Sequence, residues 1–286
     1  MSTPSIDAAR LSREHYENFP VASFLLPAAY RPHVQRIYAF ARVADDLADE
    51  ARDLAALGEW RVMLERALQG GAGDGLPDLL VDLAATARDF ELPPSLLFDL
   101  LDAFERDLLQ SRYRDLEDLL SYCRQSANPI GRLLLHLWDR ADETSLELSD
   151  RICSALQILN HCQDVKADYL ERRRVYLPQD RMLAHGVRDE DLAKDRCSPG
   201  LRHVIAELAD FCGEEFEQCW PLTSRLGGRL GLELRGILHG ACLVLKRLRR
   251  VEFEVFERRP RIRRTDGPEL VLRSLFQSWP PRAARK

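Results

Sequence analysis

The chain has 286 residues, of which 45% are hydrophobic and 30% charged, with a formal charge of −5; this is an ordinary globular balance. No window reaches the roughly 18 apolar residues of a spanning helix, and no basic-then-apolar leader opens the chain, so a soluble or peripheral protein is expected. The seven cysteines form no CxxC pair, which argues against a zinc site or disulfide framework and for a reducing cytoplasm.

Proline and glycine divide a sequence that otherwise reads as helix. Apolar residues of helical period predict helices over 33–69, 76–91, 95–122, 130–141, 147–171, 201–219 and 229–250. The alternation Val251-Glu-Phe-Glu-Val255 is one short run, and it equally suits the end of a helix. No repeat or long linker appears. An all-α protein is expected, with one helical domain over 1–277 and a disordered basic tail at 278–286.

Charge is uneven along the chain. From Lys246 to Lys286 there are 13 Lys and Arg against 5 Asp and Glu, a local +8, which leaves about −13 for the rest. Such an end suits an anionic membrane surface, and equally a solvated face with a loose tail. Nothing resembles a nucleic-acid recognition motif, so no nucleic-acid partner is expected.

The first chemical signal lies in Tyr38-Ala-Phe-Ala-Arg42-Val-Ala-Asp45-Asp46-Leu-Ala-Asp49. On a helix, Tyr38, Arg42, Asp45 and Asp49 share one stripe, while Asp46 turns about 100° from Asp45. Apolar neighbours make the stripe unlike a plain charged surface, and a hard dication with oxygen ligands would relieve its like-charge repulsion. Taken alone, an acidic solvated face is the commoner fate of such a run.

A second stripe follows more than a hundred residues later. Asn160, Asp164 and Asp168 stand at i, i+4 and i+8 after the apolar run Ile152–Leu159. A buried acidic stripe is costly unless it is paired or metal-bound. Arg172, Arg173, Arg174 and Tyr176 come next and could hold a diphosphate; a basic last turn answering the helix dipole is the plainer alternative. Two stripes facing each other would form a bowl for several Mg²⁺ ions gripping a diphosphate leaving group.

At these residues the chain resembles the head-to-head isoprenyl diphosphate synthases, the squalene/phytoene synthase family, over about residues 14–260. Tyr38-xxx-Arg42-xx-Asp45-Asp46-xx-Asp49 is similar to the first aspartate motif of that family. Asn160-xx-Gln163-Asp164-xxx-Asp168, with Arg174-Val-Tyr176-Leu-Pro178, is similar to the second. Glu17-Asn18-Phe-Pro-Val-Ala-Ser23 and Tyr122-Cys-Arg-Gln-Ser126-Ala-Asn128-Pro129 look like the hydroxysqualene synthase branch of bacterial hopanoid biosynthesis.

The resemblance implies a helical bundle around a central cavity. It implies Mg²⁺ held by Asp45, Asp49, Asn160, Asp164 and Asp168, with Asp46 outside the ligand set. Tyr38, Arg42 and Tyr176 are its catalytic candidates. Asn18, Ser23, Arg42, Asn128, Gln163, Arg174 and Tyr176 are its candidates for substrate contact. The substrate it implies is presqualene diphosphate, and the pathway partners are a presqualene diphosphate synthase and a hydroxysqualene reductase. The place it implies is the cytoplasm or the inner face of its membrane.

No GxGxxG fingerprint is present, so NADPH is not expected. Asn18 and Pro20 also suit a plain turn, and Asn128-Pro129 also suits a helix start with Asn as cap. His136, His161, Phe40 and Trp138 read as packed residues rather than ligands. Two alternatives share the motifs: a synthase condensing two allylic diphosphates, and a non-catalytic assembly protein of the same fold.

Overall fold

The computed structural model describes residues 27–49, 51–71 and 75–276. Asn18, Ser23 and the tail 278–286 lie outside them. The all-α expectation is borne out: the described residues hold helices and one isolated extended bridge, Arg112 with Val175. In chain order the helices are α1 (Arg31–Asp49), α2 (Leu54–Leu68), α3 (Asp78–Asp89), α4 (Pro94–Leu109), α5 (Leu116–Ser126) and α6 (Asn128–Leu137). They continue with α7 (Glu143–Ala167), α8 (Gln179–Ala184), α9 (Pro199–Gln218), α10 (Pro221–Leu226), α11 (Gly228–Arg250) and α12 (Gly267–Phe276).

Among the described residues two compact units emerge: 27–109 with Pro129–Leu146, and Gln110–Asn128 with 147–276. In the first, α1 turns Val34, Ile37, Phe40, Ala44 and Ala48 inward at three- and four-residue steps. Val34, Ile37, Phe40 and Ala44 pack in one core with Trp60 and Leu64 of α2, Leu80 and Leu83 of α3, and Leu97 and Leu101 of α4. Phe40 is fully buried and lies beside the Trp60 ring, 6.2 Å between centroids. Trp138, partly buried against the same core, stacks on Tyr30 at 4.7 Å.

The second unit is built on α7, α9 and α11. Ser198 caps α9 by accepting from the Leu201 N–H at 3.2 Å, and Pro199 follows at the first helical position, where a missing N–H costs nothing. Ile158 of α7, Leu208 and Phe216 of α9, and Leu245 and Leu248 of α11 are buried. The Cys212 thiol donates to the Ala155 carbonyl at 3.2 Å and ties α9 to α7.

Two predicted helices are each two. The run 33–69 breaks where Arg52 takes φ 50° and Asp53 caps α2 through Ala56 N–H at 3.0 Å. A left-handed non-glycine residue ends a helix, and an aspartate cap starts the next one. The run 95–122 breaks between Leu109 and Leu116. There Ser111, Tyr113 and Arg114 carbonyls accept from Val175, Gln179 and Asp180 N–H groups at 2.9–3.0 Å. Backbone pairing with a distant segment overrides the local period, and Asp115 restarts the helix as the cap of α5. The short helices α8, α10 and α12 fall outside every predicted helix.

Candidate active site

The buried face of α1 leaves Tyr38, Arg42, Asp45 and Asp49 half-buried on an adjoining stripe. Arg42 spans two carboxylates: Nη1 donates to Asp45 Oδ2 at 3.0 Å and Nη2 to Asp46 Oδ1 at 2.7 Å. Asp46 was expected to point away from the stripe. The forked guanidinium bridges that difference in direction, because one arginine can serve residues three and four positions on.

Burial pushes the Asp45 carboxyl up to about 6, and Asp49, Asp46 and Asp107 add to the rise while Arg42 opposes it. Asp107, on α4, was missed by the sequence reading, because a lone aspartate at a helix end carries no motif. Beyond the burial, three further carboxylates, Asp46, Asp49 and Asp107, stand against the single guanidinium of Arg42 around Asp45. That surplus, made of oxygen donors only, fits a hard dication such as Mg²⁺.

The second stripe lies on the last turns of α7. Asn160 and Asp164 are half-buried and Asp168 is buried. The helix ends in a π-turn, Asp168–Arg172, and Arg173 at φ 59° reverses the chain so that Arg174 N–H donates to the Asp168 carbonyl at 2.9 Å. Arg172 and Arg173 are left exposed, while Arg174 and Tyr176 return buried.

Asp168 meets Arg172 Nη1 at 3.2 Å and His161 Nδ1 at 3.6 Å. Asp164 receives both faces of the Arg259 fork, Nε at 2.6 Å and Nη2 at 2.7 Å. Arginines therefore hold the carboxylates of this stripe here, and a metal at Asp164 requires Arg259 to give way. Among the described residues no three His, Cys, Asp or Glu side chains are drawn into a ready metal site.

Around Tyr176 the second unit gathers rings. His161 stacks on it at 3.6 Å and 13°, with Tyr113 and Tyr122 each at 5.5 Å. His161 is thus packed, as expected, yet it also backs Asp168. Gln163, expected at a substrate, is buried and donates to the Pro260 carbonyl.

Asn128 is buried against Ser154 Oγ at 2.9 Å, and the Asp150 and Cys123 carbonyls at 3.1 and 3.2 Å on the same side require the amide to be turned with its nitrogen toward all three. It joins α5 to α7 rather than capping its own helix. Arg259 and Pro260 were the other omission. The run Arg258-Arg259-Pro260 reads as a basic loop, and only tertiary packing sets it on α7.

The squalene/phytoene synthase family profile matches residues 12–266. A hydroxysqualene synthase of Rhodopseudomonas palustris is 38% identical over 220 residues, 76% of this chain and 74% of its own length. A phytoene synthase of Thermus thermophilus is 33% identical over 200 residues, covering 70% of this chain and 68% of the relative. The crystal structure of squalene synthase HpnC from Alicyclobacillus acidocaldarius superposes with a TM-score of 0.77 at 34% identity, over 86% of this chain and 93% of that one.

Proposed function

Since the chain belongs to the squalene/phytoene synthase family, we propose that it converts presqualene diphosphate and water into hydroxysqualene and diphosphate. The observation that carries this reading is the likeness to a hydroxysqualene synthase over three quarters of both chains, with both carboxylate stripes present in full. Asp45, Asp49, Asn160, Asp164 and Asp168 are the residues that would hold Mg²⁺. Bound there, the ion supplies neutralisation of the charge that grows on the departing diphosphate.

The protein's own groups do the rest. Arg42 and Arg174 bind the diphosphate, as arginine forks bind phosphate oxygens. The carbon–oxygen bond breaks with its electron pair leaving on the diphosphate, and a cyclopropylcarbinyl cation remains. Tyr176, held in place by its stack on His161, and Tyr38 are the rings assigned to stabilising that cation. The cation rearranges with opening of the cyclopropane, water adds through oxygen, and one proton passes to solvent. No hydride is consumed, so a separate reductase completes squalene. A presqualene diphosphate synthase supplies the substrate, and its oily chains favour work at a membrane surface.

Product analysis tests this. The purified protein with Mg²⁺ and without NADPH is offered presqualene diphosphate and, separately, farnesyl diphosphate. Hydroxysqualene from the first and nothing from the second is expected, and chelation of Mg²⁺ should abolish it. Presqualene diphosphate, phytoene-type or dehydrosqualene-type hydrocarbon formed from the allylic substrate would make it a condensing synthase, the reading that the phytoene synthase relative favours. Absence of diphosphate release from either would leave a non-catalytic protein.

A further inference from the structure

A helix of a water-facing protein normally buries its apolar stripe and exposes its polar one. α12 does the reverse. Val271, Leu272, Leu275 and Phe276 are exposed, Phe276 by 82%. Val271 and Leu275, and Leu272 and Phe276, stand four residues apart, so the four cover one side of the helix. The side turned inward carries Ser274, which is buried and donates to the Leu270 carbonyl at 2.7 Å.

Glycines on α11 explain how so polar a face can dock. Ser274 Oγ stands 3.3 Å from the position a Cβ on Gly236 would take, and Ile262 Cδ1 stands 2.8 Å from that of Gly240. Two glycines one turn apart thus admit α12 and the strand of chain before it close to the α11 backbone. The contact uses Ser274 and Ile262 and leaves Val271, Leu272, Leu275 and Phe276 facing outward.

The chain leading into α12 is basic. Arg258, Arg261 and Arg263 are exposed. The segment is braced as well: Arg247 grips Asp266 with both nitrogens at 2.8 Å and donates to the Arg261 carbonyl at 2.5 Å. An apolar face flanked by fixed cations matches the acyl and headgroup layers of an anionic bilayer.

We infer that the outward face of α12, with its flanking arginines, is the surface by which this protein docks on an anionic membrane. The helix lies in the interface plane, its leucines and Phe276 among the upper acyl carbons and its arginines at the phosphates. The site rests on the reading above only for its purpose, delivery of an oil-soluble substrate and release of an oil-soluble product.

The test is flotation of the full chain with vesicles of phosphatidylcholine carrying about 30 mol % phosphatidylglycerol, which give the surface potential such docking needs. The Leu272→Ser/Phe276→Ser variant should lose about tenfold or more in vesicle affinity while keeping the melting temperature of the parent, since both side chains already face solvent. Arg261→Gln/Arg263→Gln should weaken binding too, and salt should weaken the parent's binding but not the apolar step. Retained binding by the Ser/Ser variant, or equal binding to pure phosphatidylcholine, overturns the proposal. So does a parent that self-associates in solution and that the Ser/Ser variant returns to monomer, which would assign the face to a second copy. Turnover of presqualene diphosphate dispersed in detergent is measured alongside: it should be unchanged in the Ser/Ser variant. If no protein turns it over, the functional reading fails while the flotation result still stands.

Discussion

Asp45 concentrates the chemistry of the first stripe in one titration. Its carboxyl is raised from the usual 3.8 to about 6, by burial first and then by Asp49, against Arg42. A group whose folded value lies above its unfolded one favours folding most when protonated. Its relative contribution is therefore full below pH 3.8 and is lost as pH rises through about 6. Metal-free protein at pH 7.5 carries the whole of that unfavourable charge, which a dication bound by the proposed ligands would relieve. Thermal melts should accordingly show a larger Mg²⁺-induced rise in Tm at pH 7.5 than at pH 5. Asp45→Asn should raise the Tm of the metal-free protein at pH 7.5, flatten its dependence between pH 4 and 6, and abolish diphosphate release. An Asn variant that keeps the Mg²⁺-induced shift would remove Asp45 from the ligand set.

The elements show where tertiary packing overrides the local pattern. The carboxylate stripes themselves were legible, since i, i+4 spacing on a helix survives whatever the helix packs against. What the pattern could not carry was the company each stripe keeps. Asp107 reaches Asp45's neighbourhood from another helix, and Arg259 reaches Asp164 across 95 residues of chain. Gln163 and Asn128, read as substrate contacts, are engaged with Pro260 and with Ser154, because a buried amide must find partners wherever the fold offers them. The segment before α12 is the element most dependent on such contacts. Arg247 first, and the Arg263 N–H with it, hold the Asp266 carboxyl below the usual range. That stabilisation is present above pH 3.8 and is lost as pH falls through the lower folded value. Asp266→Asn should destabilise the protein by about 1.5–3 kcal/mol at neutral pH, the range for a lost hydrogen bond to a charged group. It should also make the segment a preferred site of limited proteolysis. A variant with parental stability and cleavage pattern would show that the Gly236 and Gly240 contacts suffice to hold it.

At the scale of the whole molecule the cysteines offer a test of packing throughout the second unit, where all seven lie. Their scatter without pairing was readable from the sequence, but their burial was not, since cysteine packs as a small apolar residue only once neighbours close over it. All seven are free; six are buried and Cys242 is half-buried. Burial pushes the Cys162 and Cys242 thiols up to about 12 and those of Cys197 and Cys219 to about 11. Cys212 rises as well, for the same reason and because Cys162 and Cys123 lie near it. The thiolate is the reactive form, so at pH 8 these groups should be almost unreactive toward a disulfide reagent while the protein is folded. Rapid titration should find essentially none of the seven in native protein and all seven in urea. Each thiol that reacts early then reports the region that opens first, because reaction follows local opening rather than intrinsic reactivity. All seven belong to the second unit, so the first thiol to react names the part of that unit that opens first. A reductant that leaves Tm unchanged completes the case that packing, and no disulfide, holds the helices.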